Sequence, residues 1–505
     1  MKKFNRREFI SKTSKTALGL GIASQLGLLS GCDSSSSING PSEAAWRQFA
    51  DSLTGMLLRP GDDIFAQLAL PHNLAFVSIL PQGIVIAANE ADVQKCIQFV
   101  QEHNLPFAAR SGNHSYAAYS STSGLQIDMT SLNSIELNKS TGILNVGGGT
   151  LLGNLVADIT PSGFMIPVGT CATVGLAGLL LGGGIGFNGR RFGLTSDNLV
   201  QTQIVTASGE ILNCNDNENS DLFWAARGSG GGNFGIHTGF QIQAHEVGDV
   251  SVYEISWDQT DIGSVWLAMQ DISLSASDEF SLKLAISISE EGSLPGSQNI
   301  KFTATGQYYG SAEDLRELLD PAFSAAEPIS STIEELSFFE AQLFLEEHGG
   351  PNAFLTKSAF IEGKLSESAV STLINHLSKW PTDSRLAEFK IFAFGEGYSA
   401  VDPSDTAFFH RTADFVVESC ASWHPGDSQS IIDASTDWLQ ELFSLLDSSF
   451  NGFAYNNFID PTLENWDFAY HSSNLPRLIR VNKKYDPNNL FDFDQGIPLS
   501  VLEDV

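Results

Sequence analysis

The sequence predicts an α+β fold in two domains, on three observations. Glycine is concentrated in two runs, Val168–Asn198 and Arg227–Gly235, among small and aliphatic residues. From about Val247 to about Phe450 glycine thins out, and segments of strand and helix period alternate; this stretch is read as a second, α+β domain. From Ala454 to Pro498 the texture returns to aromatics and asparagines. Glycine loses more backbone entropy on folding than any other residue, so its density marks backbone lying flush against something flat or charged.

The bulk numbers agree with a globular chain. It has 505 residues, 42% apolar and 17% charged, enough for two or three domains with a real core. A net charge of -32 argues against nucleic acid, whose phosphates attract Lys and Arg. The acidity is read as solubility or salt adaptation.

The first residues read as a targeting segment. Lys2, Lys3, Arg6 and Arg7 make a basic start, and Asn5–Ile10 resembles a twin-arginine export signal. The apolar run Ala17–Ser30 is too short and glycine-rich for a comfortable membrane span. It ends in Leu29-Ser30-Gly31-Cys32, which resembles a lipoprotein cleavage box; the alternative is plain cleavage without lipid. The expected divisions are a signal over 1–31, a serine-rich tether over 32–43 and the fold from residue 44. The expected localisation is periplasmic, as a membrane-anchored lipoprotein whose Asp33 hints at the inner membrane. Cys96, Cys171, Cys214 and Cys420 form no CxxC pair, so no metal site is expected.

Along the chain, helical spacing predicts helices over Glu43–Arg59, Glu90–His103 and Leu151–Ile159. Strands are expected at Leu74–Ile79, Gly83–Ala87, Pro106–Arg110, Leu125–Met129, Ser134–Leu137 and Ile143–Val146. A hairpin joins Leu199–Thr206 to Ile211–Cys214 about Ser208-Gly209, and Ile236–Gln243 is a further strand. In the second domain, strands are expected at Phe280–Ser289 and Ile300–Tyr309. Helices are expected at Ala312–Leu319, Ile333–Leu345, Ser366–Leu377 and Ser428–Leu446.

Two motifs invite phosphate chemistry. The loop after Ala109, Arg110-Ser111-Gly112-Asn113-His114-Ser115-Tyr116, offers successive amides as an anion nest, with Arg110 to add charge. Gly184-Ile185-Gly186-Phe187-Asn188-Gly189 matches GxGxxG, with Glu210 about twenty residues on. A dinucleotide fingerprint needs a helix starting at that turn. The next residues, Arg190-Arg191-Phe192-Gly193-Leu194, have no apolar helical face, so nicotinamide binding is disfavoured.

Taken together, five motifs resemble the berberine bridge enzyme-like flavoprotein oxidases of the vanillyl-alcohol oxidase and p-cresol methylhydroxylase superfamily. They are Arg110–Tyr116, Gly169–Gly175, Gly193–Asn198, Gly231–Ile236 and Tyr485–Phe491. Thr406–Arg411 is a further match in the middle of the chain. The resemblance implies a two-part FAD-binding domain of the p-cresol methylhydroxylase type, over 44–246 and completed by 451–505. The substrate domain, an antiparallel sheet covered by helices, is then inserted at 247–450.

It further implies FAD joined to His114 at the flavin 8α-methyl and to Cys171 at ring C6. Imidazole nitrogen and thiolate are the nucleophiles for such bonds. The implied cofactor-binding set is Arg110, Ser111, Gly112, Asn113 and Ser115; Gly169, Thr170, Thr173, Val174, Gly175 and Gly178; Gly183, Gly184, Gly186 and Asn198; Asn233, Gly235 and Ile236; and Tyr455, Asn457 and Asn474. Val174, three after the cysteine, is the small choice that admits oxygen; a bulky residue there goes with dehydrogenases.

For base chemistry, Tyr455-Asn456-Asn457-Phe458 resembles the family's Tyr-x-Asn-Tyr, which makes Tyr455 the expected proton acceptor, with Tyr116 as a second active-site tyrosine. A phenol near pKa 10 needs help in that role. Strand alternation puts Glu388 and Lys390 on one face as candidate polar partners, without choosing between them.

The chain departs from the pattern at Asn113, where glycine is usual, and at Leu179, where histidine is common. Phe458 replaces a tyrosine or histidine, Gly395-Glu396-Gly397 distorts a Gly-Gly pair, and His471–Asn474 lacks a glycine. The expected activity is oxidation of an alcohol or sugar hemiacetal carbon by hydride transfer to flavin N5. Dioxygen is the acceptor, giving peroxide, and the partners are that small-molecule substrate and dioxygen. Rival readings are a dehydrogenase feeding a membrane quinone and a non-catalytic flavin- or carbohydrate-binding lipoprotein. Trp257, Trp266, Tyr308, Tyr309, Phe338 and Phe339 are weighed as sugar-stacking aromatics against plain core.

Overall fold

A computed structural model describes residues 40–289, 299–381 and 386–500. The expected signal at 1–31 and most of the tether lie outside the described residues. The first sheet holds β1 (Met56–Leu58), β2 (Gly83–Ile86), β3 (Phe107–Arg110) and β4 (Leu125–Asp128), in the order β1-β2-β4-β3. β4 runs parallel to both β2 and β3, and such pairing needs a long crossover. The helix Glu90–His103 supplies one. Asn89 caps its start, Asn104 ends it at φ 48°, and Val93, Cys96, Ile97 and Val100 form its buried side.

Two expectations fail in this region. The opening helix covers Glu43–Ser52 rather than reaching Arg59. The buried Asp92 carboxylate accepts the amides of Thr54 and Gly55, each at 2.8 Å, and this turns the chain into β1. Leu74–Ile79 is no strand. Its start is a 3₁₀ turn over Leu74–Phe76, capped by the Asn73 side chain, which accepts from the Ala75 amide.

The second sheet is antiparallel, with β5 (Ile135–Asn138), β6 (Ile143–Gly147), β8 (Leu199–Thr206), β9 (Ile211–Cys214) and β10 (Gly235–Gln243) in the order β5-β6-β10-β8-β9. The short β7 (Phe164–Met165) pairs with β11 (His245–Glu246) beside it. Between β7 and β8 the glycine-rich run folds as a helix over Leu176–Leu181 and a single helical turn over Gly189–Phe192. That turn does come directly after the GxGxxG residues, but it is four residues long. Gly189 faces Tyr398, whose hydroxyl would lie 1.7 Å from an added Cβ, so nothing remains there to receive a phosphate.

The third sheet is antiparallel and seven-stranded: β12 (Val250–Trp257), β13 (Lys283–Ser289), β14 (Asn299–Tyr308), β15 (Ser330–Leu336), β16 (Ala353–Ile361), β17 (Leu386–Ala393) and β18 (Phe415–Trp423). Their order is β15-β12-β14-β13-β17-β18-β16. The expected helix over Ile333–Leu345 divides into the end of β15 and a short helix, Phe338–Phe344. Ser337 makes the break, its hydroxyl accepting from the Glu340 amide. Four helices, Ile262–Ser275, Ala312–Ala325, Glu367–Leu377 and Gln429–Leu446, meet one face of this sheet in a core that includes Trp266, Leu315, Leu373 and Trp438. The opposite face carries Lys283, Glu388, Lys390 and Glu418, flanked by apolar residues such as Val252, Phe360 and Val416.

Candidate active site

The polar part of that face lines a cavity of 790 Å³, within the range of small-molecule sites. Alternation along the strands aims Lys283 and Ala285 of β13, Glu388 and Lys390 of β17, and Glu418 and Cys420 of β18 into it. On the other side lie three glycine-bearing segments, 110–116, 169–178 and 229–236, together with Tyr455–Ile459.

The loop after β3 places His114, and the segment before Leu176–Leu181 places Cys171. Both line the cavity. The His114 Nε2 atom lies 2.8 Å from Thr173 Oγ1, and the same hydroxyl lies 3.5 Å from Cys171 Sγ. The His72 ring stacks on His114 at 3.9 Å between centroids. Burial, with His72 adding to it, pushes the His114 imidazole down to about 3, and burial pushes His72 down to about 4. Both rings are therefore neutral at ordinary pH. Asn113 sits at φ 65°, a left-handed conformation that glycine or asparagine tolerates, which accounts for asparagine at a position where glycine was expected.

A chain of ionisable groups crosses the sheet above. Tyr116 Oη donates to Glu418 Oε1 at 2.8 Å. Lys390 Nζ lies 3.5 Å from Glu418 Oε2 and 3.0 Å from Glu388 Oε2. Lys283 pairs with Glu347. Burial alone would lower the Lys390 ammonium, but Glu418, Glu388 and Glu347 hold it well above its ordinary value. Burial raises the Glu418 carboxyl, against the pull of Lys390. Burial would also raise Glu347, yet Lys390 and Lys283 outweigh it and hold that carboxyl at about 2.

Tyr455 is fully buried. Its oxygen accepts from the Gly184 amide and from Asn457 Nδ2, each at 3.0 Å. The Asn457 amide orientation is fixed because the same nitrogen donates to the Leu179 carbonyl at 2.9 Å. Burial pushes the phenol up to about 12, against these donors. Phe458 stacks parallel to Tyr116 at 6.0 Å and stands edge-on to Tyr455 at 5.1 Å.

Most residues expected from the sequence meet at this cavity: Ser111, Gly112, Asn113, His114, Ser115 and Tyr116; Gly169, Thr170, Cys171, Val174, Gly175, Gly178 and Gly186; Asn233, Gly235 and Ile236; and Glu388, Lys390, Tyr455 and Asn457. Several expectations need correction. Arg110 lines the cavity, but four of its N–H donors go to the Leu68, Leu70 and Ser120 carbonyls and to Ser121 Oγ, so it offers a phosphate charge at a distance rather than a bidentate hydrogen bond. Asn198 holds the Phe192 and Leu194 carbonyls and His245. Asn474 holds the Pro403 and Thr406 carbonyls. Both brace loops outside the lining. Gly183 packs on Phe408 and Gly184 on Thr195, and Thr173 stands behind His114 and Cys171 rather than on the cavity wall.

Among the proposed stacking aromatics, Trp257, Trp266 and Phe338 are core, and none of the six lines the cavity. Sequence reasoning missed His72, Lys283, Glu347 and Glu418. Strand alternation gives the faces of β13 and β18, but only the strand order sets both beside β17. Cys96, Cys171, Cys214 and Cys420 are unbridged. Among the described residues no helix is long and apolar enough to cross a membrane, and no cluster suited to a metal is found.

The lining fits FAD. Gly178 faces open space, with nothing within 4 Å of an added Cβ, so the wall is cleared for something other than protein. An imidazole and a thiol share one hydroxyl on that side. A family model described as an FAD binding domain matches residues 81–215, and one described as berberine and berberine like matches 454–498.

Among curated proteins, an FAD-linked oxidoreductase of Bacillus subtilis, YgaK, is 33% identical over 460 residues, covering 88% of this chain and 97% of its own. Reticuline oxidase of Eschscholzia californica is 26% identical, with 86% of each chain covered. The solved structure of Physcomitrella patens BBE-like 1 superposes with a TM-score of 0.80 at 28% identity, covering 90% of this chain and 99% of that one. A glucooligosaccharide oxidase from Acremonium strictum, whose flavin is described as 6-S-cysteinyl, 8α-N1-histidyl FAD, shares the fold, with a TM-score of 0.77 at 22% identity over 92% of this chain and 99% of that one. With the motifs, the two-part match and the cavity in agreement, the chain belongs to the berberine bridge enzyme-like FAD-linked oxidoreductases.

Proposed function

We propose that this chain is an oxidase acting on an alcohol or a sugar hemiacetal, with FAD joined covalently to His114 and Cys171. In this reading 44–246 and 451–505 hold the cofactor and 247–450 the substrate. Held there, FAD would supply the hydride acceptor for the substrate carbon, with dioxygen as final electron acceptor and peroxide as its product.

The observation that carries the reading is the proton path beside the cavity, Tyr116 Oη to Glu418 Oε1 at 2.8 Å. A hydroxyl losing hydride from carbon must also lose its proton. Tyr116 takes that proton while handing its own to Glu418, so no free phenolate is needed. Burial makes Glu418 a stronger base than an ordinary carboxylate, and Lys390 offsets the charge it carries before the transfer. Tyr455 has a different part. The donors at its oxygen are the Gly184 amide and Asn457, which leaves its own hydrogen to donate. It therefore orients the substrate oxygen instead of acting as the acceptor that the sequence pointed to. Lys283, Glu347, Glu388 and Lys390 supply a polar wall suited to further hydroxyls of a sugar.

A panel of alcohols and reducing sugars, read by coupled peroxide release, tests this. The expected result is turnover that Tyr116→Phe abolishes. Peroxide-free reduction of the flavin, with no reoxidation by air in a stopped-flow instrument, would overturn the oxidase reading in favour of a dehydrogenase. Export and lipid attachment at Cys32 form a separate proposal, supported by the sequence of residues 1–37. Metabolic labelling with palmitate tests it: Cys32→Ser is expected to lose the label, and an unlabelled native chain would overturn it.

A further inference from the structure

We propose that Thr173 is the positioning residue for both flavin bonds, its one hydroxyl setting the imidazole tautomer of His114 and orienting the thiol of Cys171. The inference rests on the covalent reading of the proposed function. Thr173 Oγ1 lies 2.8 Å from His114 Nε2 and 3.5 Å from Cys171 Sγ, so it touches both nucleophiles at once. A hydroxyl has one proton to donate and lone pairs to accept. Two divisions are self-consistent: the hydroxyl accepts from Nε2–H and donates to Sγ, or it donates to Nε2 and accepts from Sγ–H. Only the first leaves the Nδ1 lone pair free to attack carbon, and it is the one assigned.

The consequence at His114 is that the proton sits on Nε2 and the lone pair on Nδ1. A neutral imidazole carries only one N–H, and the hydrogen bond made by one nitrogen decides what the other can do. Nδ1 is then the atom free to attack carbon. His72, stacked at 3.9 Å, keeps the ring plane fixed, and burial keeps it neutral. At Cys171 the donated hydrogen bond holds Sγ in one orientation on the same side as His114.

The bond chemistry balances. Joining Nδ1 to the 8α-carbon removes one hydrogen from the imidazole and one from the methyl group. Both hydrogens, with the bonding electron pair, end on the flavin as its two-electron-reduced form. Dioxygen, reduced to hydrogen peroxide, restores the oxidised ring. Joining Sγ to C6 takes the same course, with one hydrogen from the thiol and one from C6. In the first step the proton leaving Nε2 meets Thr173 Oγ1 as its nearest acceptor.

Thr173 stands behind the cavity lining, so it acts through His114 and Cys171. The test is the covalent flavin content of full-length protein, read by intact mass after denaturation. Wild type, Thr173→Ser and Thr173→Val are expressed with ample flavin and then incubated with FAD in air. Wild type carries both bonds and Thr173→Ser matches it. Thr173→Val, close in shape but without the hydroxyl, is expected to attach flavin about tenfold more slowly or more, a barrier change of at least about 1.4 kcal/mol.

Equal attachment rates in wild type and Thr173→Val would overturn the inference. A wild type with no covalent flavin would instead overturn the covalent reading beneath it. A measurement that needs no variant covers the case in which Thr173→Val does not fold: the histidyl-flavin peptide from native enzyme is expected to be linked through Nδ1. Linkage through Nε2, the nitrogen held by Thr173, would overturn the inference.

Discussion

Gly112 and Gly175 lie back to back. A Cβ added to Gly112 would come within 2.0 Å of the Gly175 amide nitrogen, and one added to Gly175 within 2.3 Å of the Gly112 nitrogen. No side chain fits at either position. This contact sets the loop that carries His114 against the segment that carries Cys171, so the imidazole and the thiol meet because two backbones touch.

Gly112→Ala forces backbone apart from backbone, at an expected cost of about 1–3 kcal/mol. Both the unfolding temperature and the flavin content should fall. Gly178→Ala separates the two effects. Its added methyl meets no protein atom within 4 Å and lies in a helix, where alanine is favoured by about 1 kcal/mol. It should keep the protein's stability but reduce flavin loading, because the methyl enters the cavity. Absorbance ratios and thermal unfolding of the purified variants check both. A fully loaded Gly112→Ala would refute the packing argument.

The site was legible where its chemistry is local in sequence. Arg110–Tyr116 and Gly169–Gly175 each carry their own glycine and their own imidazole or thiol, and alternation alone placed Glu388 beside Lys390. Glu418 and Glu347 were not legible. Glu418 meets Lys390 through the order of the third sheet, and Glu347 meets Lys283 from a loop, neither of which periodicity encodes. Ile333–Leu345 misled for a local reason: Ile333, Leu336 and the phenylalanines after them have helical spacing, while the Ser337 cap that divides them is a single residue. Arg110 was read as a phosphate ligand because sequence shows its charge but not the carbonyls that occupy its donors.

The proton path predicts a pH signature. Glu418 must be ionised to accept, and burial raises its carboxyl. Activity is therefore full above that raised value and falls as pH drops through it, with an acidic limb above the usual carboxylate range. Glu418→Gln should remove the limb and lower kcat by about 10²–10⁴-fold. Tyr455→Phe should lower the rate while leaving the limb in place. A limb that disappears in Tyr455→Phe and persists in Glu418→Gln would return the base role to Tyr455. Steady-state profiles of kcat/KM for the three proteins decide it.

Arg411 ties two distant segments together. Its guanidinium makes a bidentate pair with Asp197 at 2.7 and 2.8 Å and is almost wholly buried. It also donates to the Tyr398 carbonyl and to Thr406 Oγ1. Removing one member of a buried pair strands the other charge, at a cost of about 3–5 kcal/mol. Arg411→Met should therefore unfold at much lower denaturant concentration, and adding Asp197→Asn should recover part of the loss. Chemical denaturation of the single and double variants measures it, and simple additivity would show that the pair is not coupled.

Val174 provides the test of oxygen access. Its amide donates to the Cys171 carbonyl at 3.2 Å, and its carbonyl accepts from the Leu152 amide at 2.9 Å, so the backbone has little room to yield. Its side chain lines the cavity and leans on the apolar cluster that contains Leu176 and Leu180. A larger residue must therefore grow into the cavity. Val174→Leu is expected to slow reoxidation by dioxygen about tenfold or more, at least about 1.4 kcal/mol in barrier, while reduction by substrate changes little, because the proton path through Tyr116 and Glu418 is untouched. Stopped-flow measurement of the two half-reactions separates these effects. Equal slowing of both would mean that the side chain obstructs the whole cavity, and unchanged reoxidation would remove Val174 from the control of oxygen.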